Sequence, residues 1–280
     1  MPLGFLRRGV GTMQSFDMRD DKKFKLNNIF DSHCHYDDQA FDEDREELIA
    51  QLMSDSSNVQ YLMHACTDLR SADYGISMAE RYPNYYTSAG IHPENIDGLP
   101  DDYILRLREL TSHKKVRAIG EIGLDYHYDG YDRNAQISLF TNQLSLAAEL
   151  DLPVIMHCRD ATEDFVRLMR EYKPRGVVHC FSGSAETAQD LLSLGLYIGF
   201  TGVLTFKNAK KTKRAFAEVP LDRLLFETDC PYMAPSPYRG KRCDSRMIEY
   251  IAEEASAISG VDAQELIDIT NRNAKYLFRI

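Results

Sequence analysis

No stretch of this chain approaches the ~18 to 20 consecutive apolar residues that a bilayer-crossing helix requires. No apolar run precedes a small-residue cleavage site either, so the sequence predicts a soluble, unexported protein. Its six cysteines include no C-x-x-C pair and are too sparse for a disulfide-stapled domain, which points to a reducing cytoplasm. Positive charge is in deficit. With 33 Lys+Arg against 43 Asp+Glu the formal net charge is −10, so the chain as a whole repels phosphate backbones and anionic membranes, and any nucleic acid must be held by locally concentrated charge. No internal repeat, low-complexity tract or Pro/Gly-rich linker divides residues 29–280. Nor does a Gly-rich phosphate turn follow the first apolar segment, which argues against a dinucleotide-binding open sheet.

What is present is length and alternation. At 280 residues and 44% hydrophobic content the chain suits one large α/β unit. Residues 1–28 lack periodicity and read as an extension, with Met13 and Met18 as alternative starts and Arg7 and Arg8 in an acid-free opening. From residue 29, eight near-continuous apolar segments read as strands buried on both faces: 29–35, 59–66, 85–92, 116–124, 152–158, 175–181, 196–202 and 224–230. Amphipathic patterns such as EDREELIAQLMS and EDFVRLMREY separate them, and AQELIDITNRNAKYLF follows the last. Eight β-α units predict a single (β/α)₈ barrel over 29–280.

Polar residues gather where those strands end. His33 and His35 close the first, Glu121 lies in the fourth, His157 in the fifth, His179 in the sixth and Asp229 in the eighth. The C-terminal rim of such a barrel is where side chains converge on substrate, and His-x-His on a strand aims both imidazoles to one face. Four imidazoles and two carboxylates exceed one tetrahedral shell, so the set predicts two divalent ions, with Glu121 as the bridge because a carboxylate has two oxygens to share. Imidazole and carboxylate without thiolate suit Zn²⁺, Mn²⁺ or Co²⁺, and Mg²⁺ where oxygen dominates. The cysteines beside these residues, Cys34, Cys158, Cys180 and Cys230, read as small buried core residues.

FDSHCHYDD, GIHPE, GEIGLDYH, LPVIMHCRDA, VVHCFSGS, PLDRLLFETDCPYMAP and YRGKR resemble the signature blocks of the TatD-related metal-dependent DNases of the amidohydrolase superfamily, from about residue 29 to the C-terminus. The resemblance implies that His33, His35, Glu121 and Asp229 hold one ion while Glu121, His157 and His179 hold the other. It also implies hydrolysis of DNA, commonly as a divalent-metal-dependent 3′-to-5′ exonuclease. Two departures stand out: YRGKR runs into Cys243, Asp244 and Ser245, and Glu94 stands where relatives often carry a second His.

The expected chemistry is two-metal phosphodiester hydrolysis, with Asp229 the candidate general base. Arg239, Lys241 and Arg242 past strand eight, Arg159 after His157, and His92 are the candidate substrate contacts, and Lys207, Lys210, Lys211, Lys213 and Arg214 form a second basic stretch. Seven acids within 37–47 read instead as a helix start. Tyr126, His127, Tyr128 and Tyr131 fall beside the site, to stack bases or to pack over the barrel mouth, while His64 reads as structural and His113 as surface. No obligate protein partner is implied. The competing reading is another hydrolase on the same barrel: an amidohydrolase, lactonase, phosphotriesterase or aminoacyl-tRNA deacylase.

Overall fold

In the computed structural model, which describes residues 25–280, eight parallel strands lie side by side in chain order. They are β1 (Ile29–Cys34), β2 (Val59–His64), β3 (Tyr85–Ala89), β4 (Val116–Asp125), β5 (Val154–Arg159), β6 (Gly176–Val178), β7 (Tyr197–Phe200) and β8 (Leu224–Phe226). The helices are α1 (Arg45–Leu52), α2 (Leu69–Arg81), α3 (Tyr103–Thr111), α4 (Arg133–Leu150), α5 (Thr162–Tyr172), α6 (Ala185–Ser193), α7 (Lys210–Ala217), α8 (Ile248–Ser259) and α9 (Ala263–Phe278). This is the expected (β/α)₈ barrel. None of the described helices is long and apolar enough to cross a membrane.

The seam between β8 and β1 is closed just beyond β8. Asp229 N–H donates to the His33 carbonyl and His35 N–H to the Cys230 carbonyl, both at 2.9 Å. Beneath the seam, the buried Asp31 carboxylate accepts from Thr228 Oγ1 and Ser245 Oγ at 2.6 Å each and from the Thr228 amide at 3.0 Å. Burial pushes Asp31 up to about 6 even against those donors.

Strands six and eight are shorter than their apolar segments suggest. At Cys180 (φ 44°) and Asp229 (φ 59°) the backbone enters the left-handed region, which no strand continues through, so His179 and Asp229 sit on turns past the last ladder residues. Aspartate tolerates that region better than most residues.

Two apolar layers hold the barrel. Outside, helix faces cover the strands, as where Phe140 of α4 and Phe165 of α5 stack at 5.8 Å. Inside, Phe30, Met63, Ala118, Ile155, Val177, Tyr197 and Leu225, flanked by Tyr61 and Tyr86, form a ring drawn from all eight strands. Ala274, Leu277 and Phe278 of α9 complete it, closing the end of the barrel opposite the seam residues. Residues 25–28 are docked too: the Lys25 and Leu26 amides donate to Glu249 Oε2, and the Asn28 side chain donates to Asp268. These four residues of the expected extension thus lie against α8 and α9, while the rest of it, with Arg7, Arg8, Met13 and Met18, lies outside the described residues.

Candidate metal centre

Strand alternation delivers most of the site. Asp31, His33 and His35 share one face of the β1 segment at period two, as do His157 and Arg159 on β5. Glu121 needs more. Ala118 points into the inner ring, so strict alternation would turn residue 121 outward. The β4–β5 register slips between Ile119 and Ile122, and that irregularity swings Glu121 inward together with Asp125. Between them, Gly123 has φ 152°, and a Cβ there would lie 1.9 Å from the His157 carbonyl oxygen, so only glycine lets the strands close.

The six expected side chains meet in one buried cluster. His33 Nε2 lies 3.0 Å from His35 Nε2 and 3.3 Å from Glu121 Oε2, and His35 Nε2 lies 3.3 Å from Asp229 Oδ1. On the other side, Glu121 Oε1 is 2.7 Å from His179 Nε2 and 3.1 Å from His157 Nδ1, which are 3.2 Å apart. Each oxygen of Glu121 thus faces its own pair of imidazoles. His92 completes the second side, with Nε2 at 3.7 Å from Glu121 Oε1.

Hydrogen bonding settles two tautomers, and these show what the cluster requires. His35 Nδ1 sits 2.8 Å from the Ala65 carbonyl, which can only accept, so Nδ1 carries the proton and Nε2 turns a lone pair into the cluster. His157 Nε2 sits 2.9 Å from Asp125 Oδ2, so its Nδ1 does the same. Lone pairs and carboxylate oxygens packed this closely away from water cost several kcal/mol unless positive charge is added. Protons supply it where nothing else does. Burial opposes charging His35, yet Asp229 and Glu121 push it up to about 10; burial likewise opposes His157, and Asp125 and Glu121 push it up to about 9. Burial and the adjoining His179 hold His33 down to about 4. Glu121 and Asp229 stay ionised well below and below their ordinary range respectively, because the surrounding histidines outweigh burial. The donors therefore fit divalent cations: two groupings, His33–His35–Glu121 and His33–His179–Asp229, each bring ligand atoms within 4.8 Å of one another, and in a third, His92–Glu121–His157, His92 Nδ1 accepts the Glu94 amide and so leaves Nε2 protonated.

Three carboxylates that the reading of strand ends passed over support this cluster. Asp125 orients His157. Asp31 ties β1 to the Asp229 turn. Glu227, fully buried, accepts from the Cys180 amide and from Ser32 Oγ at 3.4 Å, and its Oε1 lies 3.7 Å from His179 Nδ1. Gly199 makes room for it, since a Cβ there would lie 2.5 Å from Glu227 Oε2. Their signal was available: Asp31 and Glu227 stand two residues before a cluster member on the same chain segment, and Asp125 lies four past Glu121. Removing the orienting carboxylate, Asp125→Ala, is expected to weaken metal binding or turnover by about 10- to 100-fold, measured as ions retained per chain after dialysis and as the metal concentration needed for half-maximal rate.

The expected substrate contacts divide. Arg159 lies on the rim, its Cζ 5.2 Å from the Tyr128 ring centre. Exposed Arg239 lies over Phe206 at 4.4 Å, and Lys241 is exposed beside Tyr238. Arg242 is different. Its guanidinium is buried, pairs with both Asp44 oxygens at 2.7 and 2.6 Å, donates to the Ala40 carbonyl and lies over Phe41 at 4.8 Å. A buried guanidinium needs a carboxylate, and the acidic run after β1 provides one, so Arg242 braces that loop. The same run caps helical turns as expected: Asp38 accepts from the Ala40 amide and Glu46 and Glu47 open α1. In the second basic stretch Lys213 is bound to Glu254 at 2.6 Å, while Lys207, Lys210, Lys211 and Arg214 are exposed.

The sequence departure at 243–245 lies inside the protein: Cys243 and Ser245 are buried, Ser245 reaches Asp31 and Tyr36, and Asp244 pairs with Arg246. Cys34 and Cys230 are buried core residues as expected, whereas Cys158 and Cys180 are half-buried. His64 is buried beside Asp37 and Ser71, and His113 is partly exposed beside Glu80.

The geometry has counterparts in known proteins. The family model described as TatD related DNase matches residues 30–279. The metal-dependent hydrolase YabD of Bacillus subtilis (strain 168) is 40% identical over 90% of this chain and 99% of its own. The 3′-5′ ssDNA/RNA exonuclease TatD of Cronobacter sakazakii is 34% identical over 89% of this chain and 97% of its own. Among solved structures, the TatD homologue YjjV of Escherichia coli K12 superposes with a TM-score of 0.84 at 28% identity, covering 91% of this chain and all of that one.

Proposed function

The chain belongs to the TatD-related DNase family of metal-dependent hydrolases, and from that premise we propose that it is a cytoplasmic 3′-to-5′ exonuclease that hydrolyses the phosphodiesters of single-stranded DNA at a two-ion centre. The observation that carries this reading is Glu121, whose two oxygens each face a separate imidazole pair. His33, His35, Glu121 and Asp229 would hold one ion, and Glu121, His157 and His179 the other. Zn²⁺, Mn²⁺ and Mg²⁺ are the candidates. Bound there, such ions would supply water that ionises near neutral pH and would offset charge on the phosphoryl and leaving oxygens.

The chain's own groups do the rest. Of the two ionised carboxylates in the cluster Asp229 is the more exposed, at 12% of its side chain against 3% for Glu121, and it serves as proton acceptor for the attacking water. His92 accepts the Glu94 amide at Nδ1 (3.2 Å), so its Nε2 carries the proton and can donate to a phosphate oxygen. Arg159, Arg239 and Lys241 offset phosphate charge on the rim, which lets a strand approach a chain of net charge −10.

The deciding experiment digests 5′-labelled single-stranded and duplex DNA with Mg²⁺, Mn²⁺, Zn²⁺ or EDTA. The expected result is a ladder shortening from the 3′ end that EDTA abolishes. Metal-loaded protein that leaves every strand intact while hydrolysing a small ester or an aminoacyl ester would overturn the reading in favour of another hydrolase on this barrel.

A further inference from the structure

Next to the metal centre, the loop from β4 to α4 is tied down at several points. The Tyr126 amide donates to the Arg159 carbonyl at 2.9 Å, the Tyr126 hydroxyl donates to Asp164 at 2.9 Å, and its ring stacks on Tyr131 at 4.6 Å. His127 holds Asp160 at 2.7 Å through Nδ1. The base of this loop is Asp125. One of its oxygens accepts the His127 amide at 2.9 Å, and the other accepts His157 Nε2–H at 2.9 Å and lies 3.9 Å from Arg159 Nη1. One carboxylate thus joins a residue of the metal centre, the loop backbone and a rim arginine.

The residue this anchored loop presents is Tyr128. It is 57% exposed, far too open to be placed by core packing. What orders it is Arg159, which lies over the ring at 5.2 Å and donates from Nη1 to the Tyr128 hydroxyl at 3.3 Å, together with the His127 ring, which meets it edge-on at 5.1 Å. Among the described residues Arg159 Nε and Nη2 make no hydrogen bond, so the guanidinium keeps a free cationic edge beside the aromatic ring. An ordered ring with an open face and an adjoining free cation is the combination that binds a nucleotide, base to ring and phosphate to cation. Holding the ring in advance lowers the ordering cost of binding.

We propose that Tyr128, backed by Arg159, is a nucleobase-stacking subsite for the strand whose 3′ end lies at the metal centre. The subsite rests on the nuclease reading and deepens it. Stacking uses the π-face common to all bases, so the subsite is indifferent to sequence, and it binds ground and transition states alike, so it acts on KM.

The test uses the metal-loaded protein and single-stranded DNA carrying one abasic nucleotide placed at successive positions from the 3′ end. Tyr128→Ala is expected to raise KM about 5- to 100-fold with little change in kcat, and Tyr128→Phe, which keeps the ring, to restore most of the loss. In the wild type, one abasic position reproduces the increase, and on that strand Tyr128→Ala adds nothing further. A KM for Tyr128→Ala within about twofold of wild type, or an increase that persists undiminished on every abasic strand, overturns the subsite while the nuclease reading stands. A wild type that shortens no strand overturns both.

Discussion

Glu121→Ala is expected to lower hydrolysis at least about a thousandfold, because the lost organisation of the metal centre is worth several kcal/mol of transition-state stabilisation and each 1.4 kcal/mol is about tenfold in rate. The more telling readout is ion content. On the proposed assignment His35→Ala acts on one side of the cluster and His179→Ala on the other, so each should loosen one ion. Glu121→Ala should loosen both, since Oε2 faces His33 and Oε1 faces His157 and His179. Elemental analysis after dialysis separates these outcomes, and an Ala variant that keeps the wild-type ion ratio would end the bridging assignment. Stability provides a second check. Divalent ion is expected to raise the unfolding temperature of the wild type by mass action on the native state, and that rise should vanish in Glu121→Ala. The metal-free variant itself need not be weakened, because a buried carboxylate among histidines has been replaced by an apolar group.

Phe278→Ala is expected to remove about 3 to 5 kcal/mol of stability, the usual range for truncating a buried phenylalanine when the surroundings cannot collapse. Phe278 is 1% exposed and belongs to the inner ring, with its ring centre 6.2 Å from that of Phe30. Its neighbours there come from rigid strands, so little can move in to fill the space. For a domain of this size the loss corresponds to a fall of roughly 10 °C in unfolding temperature, measured on metal-free protein by calorimetry. The site lies at the other end of the barrel, so the variant should still bind metal when folded. A drop of less than about 1 kcal/mol would mean that α9 does not close the barrel interior.

These two residues differ in how readily they are read from sequence. Glu121 stands out as a carboxylate in an apolar strand among segments that end in histidine. The bulge that turns it inward does not, because register is a relation between β4 and β5 and leaves no local mark. Phe278 belongs to a recognisable amphipathic helix, yet nothing in AQELIDITNRNAKYLF says that its last turn enters the barrel ring. His179 and Asp229 are legible as strand-end polar groups but not as turn residues, because a left-handed residue other than glycine carries no clear signature. The pairing of Arg242 is illegible for a related reason: beside Arg239 and Lys241 it looks like part of one basic loop, and its partner Asp44 is 198 residues away.

Residue types and their order are enough to read the chemistry available: four histidines and two carboxylates at period-two or strand-end positions, eight apolar segments to carry them, and a family pattern for the whole. Residue type and short-range phase are local properties, so they survive in one dimension. The tertiary structure decided which lone pair faces which oxygen, through Ala65 and Asp125, and which cations remain free for a phosphate strand once Asp44 has taken Arg242. Those outcomes depend on distances between segments far apart in the chain, and on the requirement that every buried charge find a partner, conditions that exist only once the barrel has closed.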